Sequence, residues 1–100
     1  MRRTAEAHER NKEEIVREKA AALGRAGERL EAALADVSAL ARAWREAVGA
    51  DERERLRREY EGAWRVADAA RLALLIQREA VGLRDQRVVD QQFPRPPRRP

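Results

Sequence analysis

From Val16 onward, apolar and small residues recur along the chain at steps of four and three: Val16, Ala20, Leu23, Gly27, Leu30, Leu34, Val37, Ala41, Trp44 and Val48. That alternation is the spacing of one buried stripe on an α-helix, and no polar residue interrupts it. Ala26, Ala33, Leu40 and Ala47 lie beside the stripe and widen it beyond a simple two-stranded seam. Asn11 with Glu14 three residues on is a capping pair, so the spacing predicts helix 1 over about 11–48. Residues 1–10 then form a frayed, charged segment, with Thr4 as an earlier cap.

The pattern breaks at Val48-Gly49-Ala50-Asp51. Gly49 suits a left-handed helix C-cap, and Asp51 with Glu54 forms the next capping pair. A turn at 49–51 leads into helix 2 over about 52–82. Its seam is Leu56, Tyr60, Ala63, Ala67, Ala70, Leu74, Gln77, Val81, Arg84 and Val88. So short a turn makes the two helices antiparallel neighbours, with facing residue numbers summing to about 100. Leu30 then faces Ala70, Val37 faces Trp64 and Leu40 faces Tyr60. Gly24 and Gly27 fall opposite Ile76 and Ala73. Close approach of the bulky segment Leu74-Leu75-Ile76 explains glycine in a helix interior, and a break at Leu23-Gly24 is the alternative. The seam keeps register across both glycines, which favours continuity.

Helix 2 carries a second stripe: Val66, Ala69, Ala73, Ile76, Ala80 and Leu83. One partner helix cannot cover two stripes. The surplus predicts self-association, most simply a homodimer forming a four-helix bundle. Gly82-Leu83 reads as a helix stop, and Asp85 as the cap of a short helix over about 85–91. All four prolines follow, at Pro94, Pro96, Pro97 and Pro100. Residues 92–100 are expected to be a disordered, polyproline-like tail. Its Pro-x-x-Pro with flanking arginines is a composition that aromatic grooves recognise. The fold expected is all-α: a long, coiled-coil-like antiparallel hairpin over 11–90, closed by a short helix and followed by a Pro/Arg tail.

Composition narrows the chemistry. Among 100 residues there is no cysteine, and of the 43% that are apolar nearly half are alanine. Disulfides, thiol chemistry and Cys-type metal sites are excluded, and large apolar side chains are scarce. The one histidine, His8, sits among charged neighbours and has no convergent partners, so it reads as solvated. Glycine-rich phosphate loops and nucleophile–base pairs are absent. No enzymatic activity, cofactor or metal is expected. No signal peptide or membrane span is visible, so the expected location is cytoplasmic.

Net charge is +4. Arg2, Arg3, Arg95, Arg98 and Arg99 carry five basic charges at the two ends, and the stretch between them holds 17 basic and 18 acidic residues. The body is therefore nearly neutral. Glu13 and Arg17, Glu54 and Arg58, and Glu61 and Arg65 are spaced as helical ion pairs on solvated faces. Gln77, Arg78, Glu79, Arg84 and Asp85 form the one unusual polar cluster. Either it closes the open end of the hairpin, with Arg84 reaching Glu13 or Glu14, or it binds a partner's carboxylate or backbone.

The segments Glu18-Lys19-Ala20-Ala21-Ala22-Leu23-Gly24, Glu31-Ala32-Ala33-Leu34 and Gln77-Arg78-Glu79-Ala80-Val81-Gly82-Leu83-Arg84-Asp85 resemble those of a family of short bacterial helical proteins, a domain of unknown function. The similarity runs from Glu14 to Pro94. Members of that family continue with a Tyr-Gly-x-Pro element, where this chain has Gln92-Phe93-Pro94. The resemblance implies a bacterial source and no catalytic residues.

These features point to a self-associating helical hairpin that binds itself or another protein. Two alternatives stand beside it. One is a small nucleic-acid-associated protein acting through its arginine-rich ends, and the other is an adaptor or chaperone for a client helix.

Overall fold

The computed structural model describes residues 2–100, with side chains described from Thr4 onward. Three helices follow in order: α1 (Arg2–Glu46), α2 (Ala50–Ala80) and α3 (Arg87–Gln92). The chain is all-helical, with α1 and α2 packed against each other as a hairpin. A compact 100-residue domain has a radius of gyration of about 13 Å. This chain measures 19.5 Å and extends 74 × 22 × 14 Å. The long axis is α1 itself, since its 45 residues at helical rise span about 67 Å.

Helix formation starts earlier than the capping pair predicts. The expected frayed segment 1–10 is helical from Arg2, and Asn11 and Glu14 lie inside α1. Nothing between Arg2 and Asn11 opposes a helix: the segment has neither Gly nor Pro, and a cap residue only favours a start. Every residue from Thr4 to Ala21 is exposed, so this stretch runs on beyond α2 as a lone helix.

The turn also differs in detail. α1 ends at Glu46, short of the last seam position, and Val48 is 91% exposed. Gly49 is not the C-cap of α1. At φ +95° it is the residue preceding α2, and its carbonyl accepts the first helical bond from the Arg53 N–H at 3.2 Å. Asp51 therefore lies within the first turn of α2 and makes no capping hydrogen bond. Its charge still suits the positive end of the helix dipole. The Arg53 guanidinium lies over the Trp44 ring, 4.9 Å from its centroid, and joins the two helices beside the turn.

The core lies in the middle of the hairpin. Ala33, Val37, Tyr60 and Ala67 pack together, with Leu40, Ala63 and Trp64 around them. Next along, Ala26, Leu30, Leu74 and Leu75 pack with Val89, flanked by Leu23, Ala70 and Phe93. Leu30 beside Ala70, Val37 beside Trp64 and Leu40 beside Tyr60 match the register set by the turn. The seam of α2 is buried or half-buried as far as Gln77; Val81, Arg84 and Val88 are exposed.

α1 is continuous through Gly24 and Gly27, but not for the expected reason. A methyl group added at either glycine would meet nothing within 4 Å. Ile76 is 56% exposed and Ala73 is exposed, so neither presses on the glycines. Leu74 and Leu75 turn into the core in their place. Gly24 and Gly27 line an open groove between α1 and α3.

The stop at Gly82 is formed as expected. With φ +86° at Gly82, its N–H bonds the Glu79 carbonyl at 3.0 Å and the Leu83 N–H bonds the Arg78 carbonyl at 2.9 Å. This is the paired-bond pattern of a glycine-terminated helix. The chain then folds back over the hairpin. α3 sets Val89, 2% exposed, onto Leu74 and Leu75. Asp90 accepts from the Arg71 guanidinium at 2.6 Å and ties α3 to α2.

Candidate docking surfaces

Four lines of residues run along α2, two of them covered by other parts of the chain and two facing outward. At roughly 100° per residue, Leu56, Tyr60, Ala63, Ala67, Ala70 and Leu74 share the face turned to α1. Trp64, Asp68, Arg71 and Leu75 form a line about a quarter turn away, and the C-terminal segment lies on it. Val66, Ala69, Ala73, Ile76 and Ala80 project on average about a third of a turn from the first line and further from the second. Arg55, Arg57 and Glu59 belong to a solvated ladder near the start of the helix.

The uncovered line is the second stripe predicted for self-association. Val66 is 63% exposed and Ile76 56%, and Ala69, Ala73 and Ala80 are exposed as well; Leu83, expected on the same stripe, is exposed but lies past the stop at Gly82, off the helix. On the lone stretch of α1, Ile15 and Val16 are also exposed. Large apolar side chains grouped along one helix face leave a patch that water solvates poorly.

The polar cluster at the end of α2 is mostly local. Asp85 accepts from the Arg87 backbone N–H at 3.0 Å and from its guanidinium at 3.1 Å, which holds the turn into α3. These bonds keep the Asp85 carboxyl below its usual range, the Arg87 side chain first and its backbone N–H second. The residue directly before α3 is Gln86, so Asp85 stabilises the turn from one position outside the helix. Arg78 is half-buried, donates to the Asp85 carbonyl at 3.2 Å and leaves its Nε without a partner. Gln77 is half-buried, and Glu79 is exposed. Arg84 is exposed, and among the described residues no ion pair joins it to Glu13 or Glu14. The expected closure fails because α2 ends at Ala80, before Arg84 can occupy a helical seam position.

The ion pairs on α2 are offset from those expected. Glu54 pairs with Arg57 at 2.5 Å instead of Arg58, and Glu61 with Arg57 at 2.8 Å instead of Arg65. Glu52 and Glu59 flank Arg55 in the same way. Hydrogen bonds from Arg55 and Arg57 lower the pKa of Glu52 and Glu54 respectively. All are exposed or nearly so, and pairs of this kind add little stability.

The proline tail is where the structure departs most from expectation. It is seated on α2. The Trp64 indole N–H donates to the Pro96 carbonyl at 3.1 Å, and the Tyr60 hydroxyl donates to the Pro97 carbonyl. Arg95 pairs with Asp68, and its guanidinium lies 5.6 Å from the Trp64 ring centroid, with that of Arg98 at 5.5 Å. Phe93 is half-buried against the core. Tyr60 is 1% exposed, and burial pushes its hydroxyl pKa up. Two signals for this docking stand in the sequence. Asp68 and Arg71 are the lone charges in an apolar stretch of α2, and each finds its opposite charge in the C-terminal segment.

Among the described residues, no group of three or more His, Cys, Asp or Glu is placed to hold a metal ion. Among the same residues, no helix is long and apolar enough to cross a membrane. Comparison of the chain with family models, with curated proteins and with solved structures finds no match in any of the three.

Proposed function

We propose that the protein is a non-enzymatic interaction module: a helical hairpin that pairs with a second copy through the outer face of α2. The carrying observation is the exposed line Val66, Ala69, Ala73, Ile76 and Ala80, which neither α1 nor the C-terminal segment covers. Burying apolar surface contributes about 25 cal/mol per Å², so two large side chains and three alanines supply a favourable term set against the entropy of association. The lone end of α1 fits the same reading. That stretch has no tertiary packing of its own, and Ile15 and Val16 give it an apolar edge for a second copy.

A four-helix bundle of two hairpins is the simplest arrangement that covers the stripe. The arginine-rich C-terminal end favours a nucleic-acid role less, because Arg95 and Arg98 are already engaged by Asp68 and Trp64. Mass by light scattering tests the proposal. Twice the 11.5 kDa chain mass is expected at micromolar concentration. Ile76→Glu should yield a helical monomer, because it places a charge in the centre of the stripe. A wild-type chain that stays monomeric and folded across that range overturns the reading.

A further inference from the structure

The tail occupies a surface that recognises general features of a polyproline segment. Its carbonyls at Pro96 and Pro97 take hydrogen bonds from an indole N–H and a phenol O–H, and its Arg95 meets a carboxylate. None of these contacts reads a feature unique to this tail. Proline fixes its backbone in an extended form with solvated carbonyls, so aromatic donors can bind it at low entropic cost. Tyr60, Trp64 and Asp68 stand at successive helical positions i, i+4 and i+8, rigidly spaced along the edge where the α1-facing side of α2 meets the line under the tail.

We propose that Tyr60, Trp64 and Asp68 form a polyproline-recognition groove, held in cis by Pro94–Pro100 and able to take an Arg-Pro-Pro-Arg segment of a partner protein in its place.

The occupant's chemistry follows from the seated tail. An arginine is read by Asp68, two prolines present carbonyls to Trp64 and Tyr60, and a second arginine stacks over Trp64. The tail fits closely on one side, where the space among Leu30, Leu34, Ala67, Phe93 and Pro96 is only about 10 Å³. On the other side Trp64 opens onto a polar cleft of about 210 Å³ bounded by Glu61, Arg65, Arg98 and Arg99. The core residues Leu30, Leu74 and Leu75 pack with Val89, upstream of the prolines, so the tail can leave without opening that cluster.

Only a few residues tether the tail to α3, which gives it an effective concentration in the millimolar range. A foreign segment must therefore compete with it, and the tail sets the threshold for binding.

The test uses the full chain, wild type and with Arg95→Ser, Pro96→Gly and Pro97→Gly together. The probe is the synthetic peptide Pro-Arg-Pro-Pro-Arg, and the Trp64 indole N–H is followed by NMR. The substitutions are expected to move the Trp64 indole signal with helicity unchanged, and the peptide to restore it. The peptide should bind this variant at least about tenfold more tightly than it binds wild type. Adding Tyr60→Phe, which removes the hydroxyl donor and leaves the Trp64 probe in place, should weaken that binding at least about fivefold. Four results overturn the proposal: an indole signal unmoved by the substitutions, no binding to the variant, equal binding of Ala-Arg-Ala-Ala-Arg, or a wild-type dimer that these substitutions dissociate. The last assigns the groove to the tail of a second copy. Should the variant lose helicity, the wild type alone decides. Millimolar peptide is then expected to displace the wild-type tail and move the Arg98 backbone amide to its free position while the Trp64 indole stays bonded, and an unmoved Arg98 amide overturns the proposal.

Discussion

Glycines in this chain do three different things, and substitution separates them. Gly24 and Gly27 sit mid-helix with open space where a methyl group would go. Alanine at either should stabilise the hairpin by about 0.5–1 kcal/mol by restricting the unfolded chain and improving helix propensity. That corresponds to a rise in Tm of a few degrees at matched protein concentration. At Gly82 the space is also open, but φ is +86°. Alanine there should cost about 1–2 kcal/mol and lower Tm by calorimetry, because the left-handed backbone crowds a Cβ. The same residue type at Gly49 opens α2. A second prediction concerns Tyr60, the only tyrosine, whose titration is therefore directly readable. Its folded-state pKa is raised by burial above the unfolded value near 10. Its contribution is thus fully present below about pH 10 and lost as pH rises through the higher folded value. Phenolate absorbance should appear later in the folded chain than in denaturant, and the Trp64 indole signal should move with it as the tail is released. Parallel titration in both states would contradict the assignment of Tyr60 as a buried donor.

Among the elements, α1 and α2 were legible because a 4-3 spacing over many turns admits few other arrangements. Their register was legible too, since a short turn near residue 49 fixes which positions face. The ends were not. α1 reaches back to Arg2 because strong helix formers continue through a capping residue, and α2 stops at Ala80 because the glycine bond pattern closes it two residues before Gly82. The short helix shows a smaller displacement of the same kind: Val89, not Val88, points inward. Once α2 has stopped, the chain re-enters at a new angle, and the α2 period no longer predicts which face is buried. Val89→Ala should therefore cost about 2 kcal/mol, from two lost methyl groups and the cavity they leave. Val88→Ala should cost under about 0.5 kcal/mol, as exposed positions do. Chemical denaturation of the two variants distinguishes them, and equal losses would remove α3 from the core.

At the scale of the whole molecule, ten buried apolar residues, three of them alanine, hold a chain 74 Å long. That is a thin core for 100 residues, and small domains that bury little lean on association. Hydrogen exchange should show it. Amides of 26–37 are expected to be protected at any concentration, whereas those of 4–21 should gain protection only as protein concentration rises through the dimer range. Concentration-independent exchange in 4–21 would mean that the lone stretch of α1 has no partner copy. The sequence by itself determined the two long helices, the turn between them and the surplus apolar stripe, because each is set by local propensity and by a period that survives any packing. It also supplied the charges and prolines of the C-terminal segment, but not their destination. Whether a polyproline stretch is free or seated depends on residues some thirty positions away meeting at hydrogen-bonding distance, as Tyr60 with Pro97 and Trp64 with Pro96 do. No periodicity encodes that meeting. Only the tertiary structure decided it, by turning the chain back at Gly82 and laying it along the one face of α2 that carries Trp64, Asp68 and Arg71.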